Sequence, residues 1–170
     1  MIRQSSDCKQ PLLSVGPETL VETEYLPYLP KVSHPLMNEG WQNDDYFIVF
    51  TEDESSAAMK AYRFDHHLPG YTLLGLRGWD DFIVINSSGI MFTISTLPLD
   101  ASYAAPFALP QQISLEPDER FAGKIKWYTK PLVFGGDPAD KTNLAWITHE
   151  QHAELFTWWN ERYRSAKIQN

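Results

Sequence analysis

Two runs rich in β-branched and aromatic residues, DFIVIN (81–86) and IMFTIST (90–96), stand on either side of Ser87-Ser88-Gly89. A linker this short leaves the runs no option but to fold back on each other as an antiparallel hairpin, with the glycine free to take the backbone that such loops require. The rest of the chain is read around that pair.

YFIVF (46–50) is a continuous apolar run of strand length, and YTLLGL (71–76) is a second. KIKWYT (124–129) alternates like a strand with one solvated face. Thr51 followed by Glu54 has the spacing of a capping box, which predicts a short helix to about Tyr62. Thr148 and Gln151 repeat the arrangement, and the following residues contain neither Gly nor Pro, so a long C-terminal helix starts there. His152, Phe156, Trp159 and Tyr163, with Leu155 beside them, fall on one face of that helix, and burying such rings stabilises a fold by roughly 2 kcal/mol each.

Between these elements the chain is punctuated. Asn38-Glu39-Gly40 reads as a turn, as do His66 to Gly70 and Gly78 to Asp81, while Pro98, Pro106 and Pro110 carry a long connection with at most a helical turn. Lys130 to Lys141 reads as a loop. Residues before about Glu24 are rich in Ser, Pro and Gln without period and read as an N-terminal arm; Pro27, Pro30 and Pro35 then allow only a short helix. The expectation is one domain over 1–170 of α+β class. Its mixed or antiparallel sheet is packed by helices, and 124–170 adds a strand, a loop and a long helix as a C-terminal extension.

Lys plus Arg number 14 against 22 Asp plus Glu, a formal net charge of -8 whose field repels phosphate backbones and anionic lipid. Neither nucleic acid nor a membrane is therefore an expected partner, and a basic macromolecule is. The single cysteine, Cys8, permits no internal disulfide and no thiolate cage. With no apolar signal run at the start and no stretch near the roughly 20 apolar residues of a membrane helix, the expected location is the cytoplasm.

Sites for chemistry are few. His149-Glu150-Gln151-His152 places its histidines three apart, whereas a zinc protease helix needs them four apart, and capping explains His149 and Gln151 without a metal. The stretch KPLVFGGDPADKTNLAWITHEQH resembles the second half of an HNH nuclease module, with a Gly-Gly loop, Asn143-Leu144 and His152 opening a helix. HNH enzymes carry a histidine base just before that loop, where this chain has Tyr128-Thr129-Lys130, so nothing is in place to activate water. His66-His67 reads as a turn with exposed histidines. The expectation is no catalytic residue, no cofactor and no metal ligand.

Acidic residues gather instead at Asp44-Asp45, Glu52-Asp53-Glu54 and Asp80-Asp81, with a further group at Glu116, Asp118 and Glu119. Carboxylates in a first helical turn stabilise it by a few tenths to about 1 kcal/mol, which accounts for Glu52 to Glu54 as structure. Trp79, flanked by Arg77 and Asp80-Asp81 in a turn, reads as an exposed ring surrounded by charge, the composition of a protein-recognition spot. Asp44, Asp45, Glu52, Asp53, Glu54, Trp79, Asp80 and Asp81 are the expected partner contacts.

From about Thr51 to Ala108 the order of features resembles the SUKH superfamily, a group that includes bacterial immunity proteins and a yeast cell-wall regulator. The residues that carry it are the helix into AYRF, then LPGYTLLGLRGWDDFIVI, then NSSGIMFTISTLPLD. Leu68-Pro69-Gly70, Leu74-Gly75, Gly78, Asp80 and the hairpin around Gly89 follow the family order, and Leu29-Pro30 and Asn38-Glu39-Gly40 stand for its N-terminal features. Trp79 departs from the pattern at a position that is usually glycine, and Ser33-His34-Pro35 interrupts what should be helix. The resemblance implies an α+β domain and a non-catalytic immunity protein that binds and neutralises a cognate bacterial toxin, often a nuclease. The alternatives are an HNH-like nuclease with displaced ligands and a regulatory scaffold.

Overall fold

The computed structural model describes residues 38–109 and 114–169, and within them the chain is α+β. β1 (Glu39–Gln42), β2 (Asp45–Val49), β3 (Tyr71–Arg77), β4 (Asp81–Asn86), β5 (Met91–Ser95) and β6 (Ala105–Pro106) form a six-stranded sheet in sequence order, every neighbour antiparallel. Between β2 and β3 run α1 (Glu52–Ala61) and the single turn α2 (Phe64–His67). β7 (Ile125–Tyr128) and β8 (Leu144–Ile147) form a separate two-stranded ribbon, and α3 (His149–Ile168) follows. The N-terminal arm, Leu29-Pro30, Ser33-His34-Pro35 and Pro110 lie outside the described residues.

The local signals explain the elements they mark. The predicted hairpin pairs Asp81 with Ser95 through to Ile85 with Met91, and Asn86 Oδ1 accepts the backbone N–H groups of Ser88 and Ile90 to close the loop. Both capping boxes are formed: Thr51 and Thr148 each accept from the residue three further on, and Glu54 and Gln151 reach back to the cap N–H.

The core is made by the sheet and by segments far apart in sequence. Leu73, Leu76, Phe82, Val84 and Ile94 meet Tyr62 and Phe64 from the α1–α2 corner and Ile125, Ala153 and Phe156 from the C-terminal segment, all buried in one cluster. The segment from Lys124 onward thus packs into the same core as the strands that carry the SUKH resemblance. Phe82, Ile83 and Val84 are each fully buried, so both faces of β4 are withdrawn from solvent, as its uninterrupted apolar run requires.

Three strands stand where turns or loops were expected, among them β6, which pairs Ala105 and Pro106 with Thr93 and Phe92 inside the proline-bearing connection. Asn38-Glu39-Gly40 opens β1 rather than turning, because Glu39 is buried and Gly40 lets another segment approach: a side chain there would overlap the Glu116 carbonyl. Trp41 N–H donates to Glu116 O (2.9 Å) and Glu116 N–H returns the bond to Trp41 O (2.8 Å). β8 is held by its register with β7, Lys126 facing Trp146, a pairing no local signal announces. On α3, His152 and Phe156 are buried as their spacing suggests, but Trp159 and Tyr163 are only half-buried, and the next fully buried position is Asn160. Asn160 Oδ1 accepts from Leu99 N–H (2.8 Å), while its Nδ2 donates to the carbonyls of Thr96 and Phe156 (2.9 Å each).

Candidate functional site

Antiparallel pairing puts the start of β2, the end of β3 and the start of β4 at one end of the sheet, since Arg77 stands opposite both Phe47 and Asp81. The turns Asn43-Asp44 and Gly78 to Asp80 therefore share that end, and Asp44, Asp45, Asp80 and Asp81 gather there. Arg77 lies among them and donates to Asp45 Oδ2 through Nη2 (3.0 Å) and Nε (3.2 Å). Both partners are partly exposed, so the pair contributes about 0–1 kcal/mol. Burial raises the pKa of Asp81 against the opposing pull of Arg77. Asp80 is exposed as a residue, yet loss of solvent around its carboxyl raises its pKa as well, against Lys126.

Glu52, Asp53 and Glu54 do not join this group. They occupy the first turn of α1, which leaves β2 at the opposite end of the sheet, and Glu54 is committed to the cap through Thr51 N–H (2.7 Å). The expected contact residues are thus divided between two places, and only the β1–β2 and β3–β4 turns bring theirs together.

Trp79 is not the exposed ring expected. It is half-buried, stacked on Tyr46 at 4.7 Å between centroids, with Trp41 (6.0 Å), Phe121 (5.5 Å) and Trp146 (5.2 Å) edge-on around it. Its backbone is left-handed, φ 64°, directly after Gly78 at 61°, a conformation that costs a residue with a Cβ about 1–2 kcal/mol. Each aromatic pair contributes roughly 0.5–1.5 kcal/mol, enough together to hold the strain. Beside it, Trp41 Nε1 donates to Asp118 Oδ2 (3.0 Å), and Arg120 bonds the same carboxylate at 2.7 Å. Asp118 is therefore occupied in holding a loop against β1, and its pKa is pulled down chiefly by Arg120.

Trp79 and Asp80 also form one wall of a cleft of about 310 Å³, whose other walls are β5's exit at Thr96-Leu97, β7, and the 3-10 turn Leu132–Phe134 with the preceding Pro131. The indole N–H groups of Trp79 and Trp127, both lining residues, are buried and have no hydrogen-bond partner. Leu132 and Val133 stand 48% and 45% exposed at the edge. Phe134 then meets Trp159 at 4.8 Å, and Trp159 meets the exposed Trp158 at 4.7 Å, extending the apolar surface away from the cleft. Sequence reasoning missed this side of the site by reading 130–141 as a plain loop; the signal was Leu132-Val133-Phe134, large apolar residues in a segment with no strand to bury them.

Searches against family models, curated proteins and solved structures each return no match for this chain.

The residues of the HNH-like stretch serve packing. Asn143 closes the Gly135-Gly136 loop: its Oδ1 accepts from Lys130 N–H (2.7 Å), and its Nδ2 donates to the carbonyls of Lys130 (3.0 Å) and Asp137 (3.3 Å). His152 is fully buried, its Nδ1 2.6 Å from the Tyr62 hydroxyl, and desolvation lowers its pKa to about 3. A neutral ring sealed from solvent has no route to a phosphodiester. The turn with exposed histidines is half corrected: His66 is exposed, but His67 is buried with neither ring nitrogen partnered, and burial lowers its pKa to about 4. Among the described residues, no helix is long and apolar enough to cross a membrane.

Proposed function

We propose that this chain is a non-catalytic protein that binds a cognate, basic bacterial toxin in the cytoplasm and neutralises it by occlusion, with the acidic end of the sheet as the contact region. The observation that carries this reading is the convergence of Asp44, Asp45, Asp80 and Asp81 on two turns at one end of the sheet, where Asp80 also lines an open cleft, offset by Arg77 and Lys126. An acidic rim on a protein of net charge -8 attracts a positively charged surface and raises the encounter rate. A toxin that acts on nucleic acid has to present such a surface, and covering it blocks the substrate.

The SUKH resemblance points the same way. The antiparallel sheet is of the kind that family implies, and Trp79, which departs from the family's glycine, sits in the left-handed backbone that glycine accommodates without strain. The nuclease alternative has less behind it, since His152 is sealed in the core.

The test is protection. Cells expressing the toxin encoded beside this chain should survive only when the chain is co-expressed, and the two proteins should co-purify. Changing Asp44, Asp45, Asp80 and Asp81 to asparagine should slow association and flatten its dependence on salt. Failure of the unaltered chain to protect or to bind refutes the proposal.

A further inference from the structure

We infer that the cleft between Trp79 and Leu132 is an anchor pocket that takes one large uncharged side chain from a loop of a basic protein, while lysines or arginines flanking that side chain meet the acidic rim. The inference rests on the protein-binding reading and adds what the partner must present. Inside the cleft the charges balance, because Asp80 stands with Lys126 among the lining residues, so a buried cation or anion from a partner would be left without a counter-charge. The remaining walls are mainly apolar or aromatic, with Leu97, Trp127, Pro131 and Leu132 prominent, while Ser95 and Thr96 add polar groups at one side. That composition favours an aliphatic or aromatic anchor, and a volume of about 310 Å³ accommodates one.

The rim carries the opposite instruction. At the same end of the sheet Asp44, Asp45 and Asp81 exceed the single Arg77 set among them, so partner residues that reach from the anchor to that end gain by being cationic. A second copy of this chain is the wrong occupant for the same reason, since it would bring one acidic rim against another. Trp79 and Trp127 both line the cleft, so their indoles report on a guest seated in it, while their N–H groups themselves are sealed from solvent.

The full chain, labelled with ¹⁵N, gives one indole N–H signal per tryptophan, and those of Trp79 and Trp127 are identified by their loss in W79F and W127F. It is titrated at millimolar concentration with a short synthetic peptide carrying a leucine flanked by arginine and lysine, with the same peptide carrying serine for leucine, and with a leucine peptide flanked by glutamate. The basic leucine peptide should shift both signals, and the other two should leave them in place. Leu132→Ser, a change at an exposed position that spares the core, should weaken the leucine peptide roughly tenfold. No shift with the basic leucine peptide, an equal shift with its serine version, or movement of the signals with protein concentration alone overturns the pocket assignment. Protection against the toxin with unmoved indoles leaves the proposed function standing without this pocket, whereas indole shifts without protection leave the pocket and remove the toxin.

Discussion

The hydroxyl of Tyr62 and Nδ1 of His152 lie 2.6 Å apart, joining the C-cap of α1 to the first turn of α3 across 90 positions of sequence. Burial holds both groups neutral, raising the phenol's pKa and lowering that of the imidazole to about 3. A neutral phenol is the stronger donor of the two and a neutral imidazole nitrogen the stronger acceptor, so the proton sits on Tyr62 and His152 carries its own on Nε2. That N–H has no polar partner and is packed near the Trp127 ring, 5.2 Å between centroids and almost perpendicular. Replacing Tyr62 by phenylalanine leaves the packing and strands a second polar atom of His152. The variant should lose about 1–3 kcal/mol in urea unfolding with an unchanged denaturant slope. An unmoved midpoint would show that the bond adds nothing.

The same burial makes stability depend on pH. In the unfolded chain His67 and His152 take up protons near pH 6.5, but in the folded chain only near 4 and 3. Above 6.5 neither state binds these protons and the two groups impose no slope. As pH falls below that value the unfolded state alone gains them, so stability drops, by up to about 1.4 kcal/mol per pH unit for each histidine. The loss levels off for His67 near pH 4 and continues for His152 to about 3. Glu39, Asp80 and Asp81 act in the opposite sense, because desolvation raises their pKa values and the folded state protonates them more readily. Urea midpoints taken from pH 7 to pH 5 should therefore fall steadily; a flat series would contradict the burial of these rings.

Asn143 and Asn160 do for loops what caps do for helices. Each is buried, and each bridges an N–H and two carbonyls that have no strand partner. Changing either to alanine strands those of the groups that have no second partner, which spares the Phe156 carbonyl inside α3 and the Asp137 carbonyl that also accepts from Asp140 N–H, at a cost of roughly 1–3 kcal/mol for each one left unmatched. Asn160→Ala should be the more damaging, since all of its bonds are buried whereas those of Asn143 are partly so. Thermal unfolding of both variants checks the order.

These asparagines also mark where reading the sequence stops working. The capping boxes at Thr51 and Thr148 and the hairpin at Ser87-Ser88-Gly89 were legible because their partners lie within a few residues. Alternation in β7 was legible because Ile125 and Trp127 face the interior while Lys126 and Tyr128 reach outward. β1 and β8 were not, because Gly40 answers to Glu116 and Trp146 to Lys126, relations set by register between distant segments. The acidic residues were visible one turn at a time. Which of them share a surface depends on strand direction, and that joined Asp44 and Asp45 to Asp80 and Asp81 while sending Glu52 to Glu54 to the far end. The cleft was hidden for the same reason, its walls coming from β3–β4, β7 and a loop read as featureless.

Trp79 offers the sharpest test of the site's backbone. At an ordinary exposed position, glycine is less stable than alanine because the unfolded glycine is the freer chain, by about 0.5–1 kcal/mol. At φ 64° the balance reverses, since alanine carries the left-handed penalty of about 1–2 kcal/mol and glycine does not. Both W79G and W79A forfeit the stack on Tyr46 and the edge contacts with Trp41, Phe121 and Trp146, so both should be less stable than the parent. The difference between them isolates the backbone, because the lost ring is common to the two. W79G should unfold at a higher urea concentration than W79A, and the reverse order would mean that the turn relaxes out of the left-handed region once the ring is gone. In that case the aromatic cluster, rather than the geometry of the β3–β4 connection, is what sets the conformation of the turn that carries Asp80.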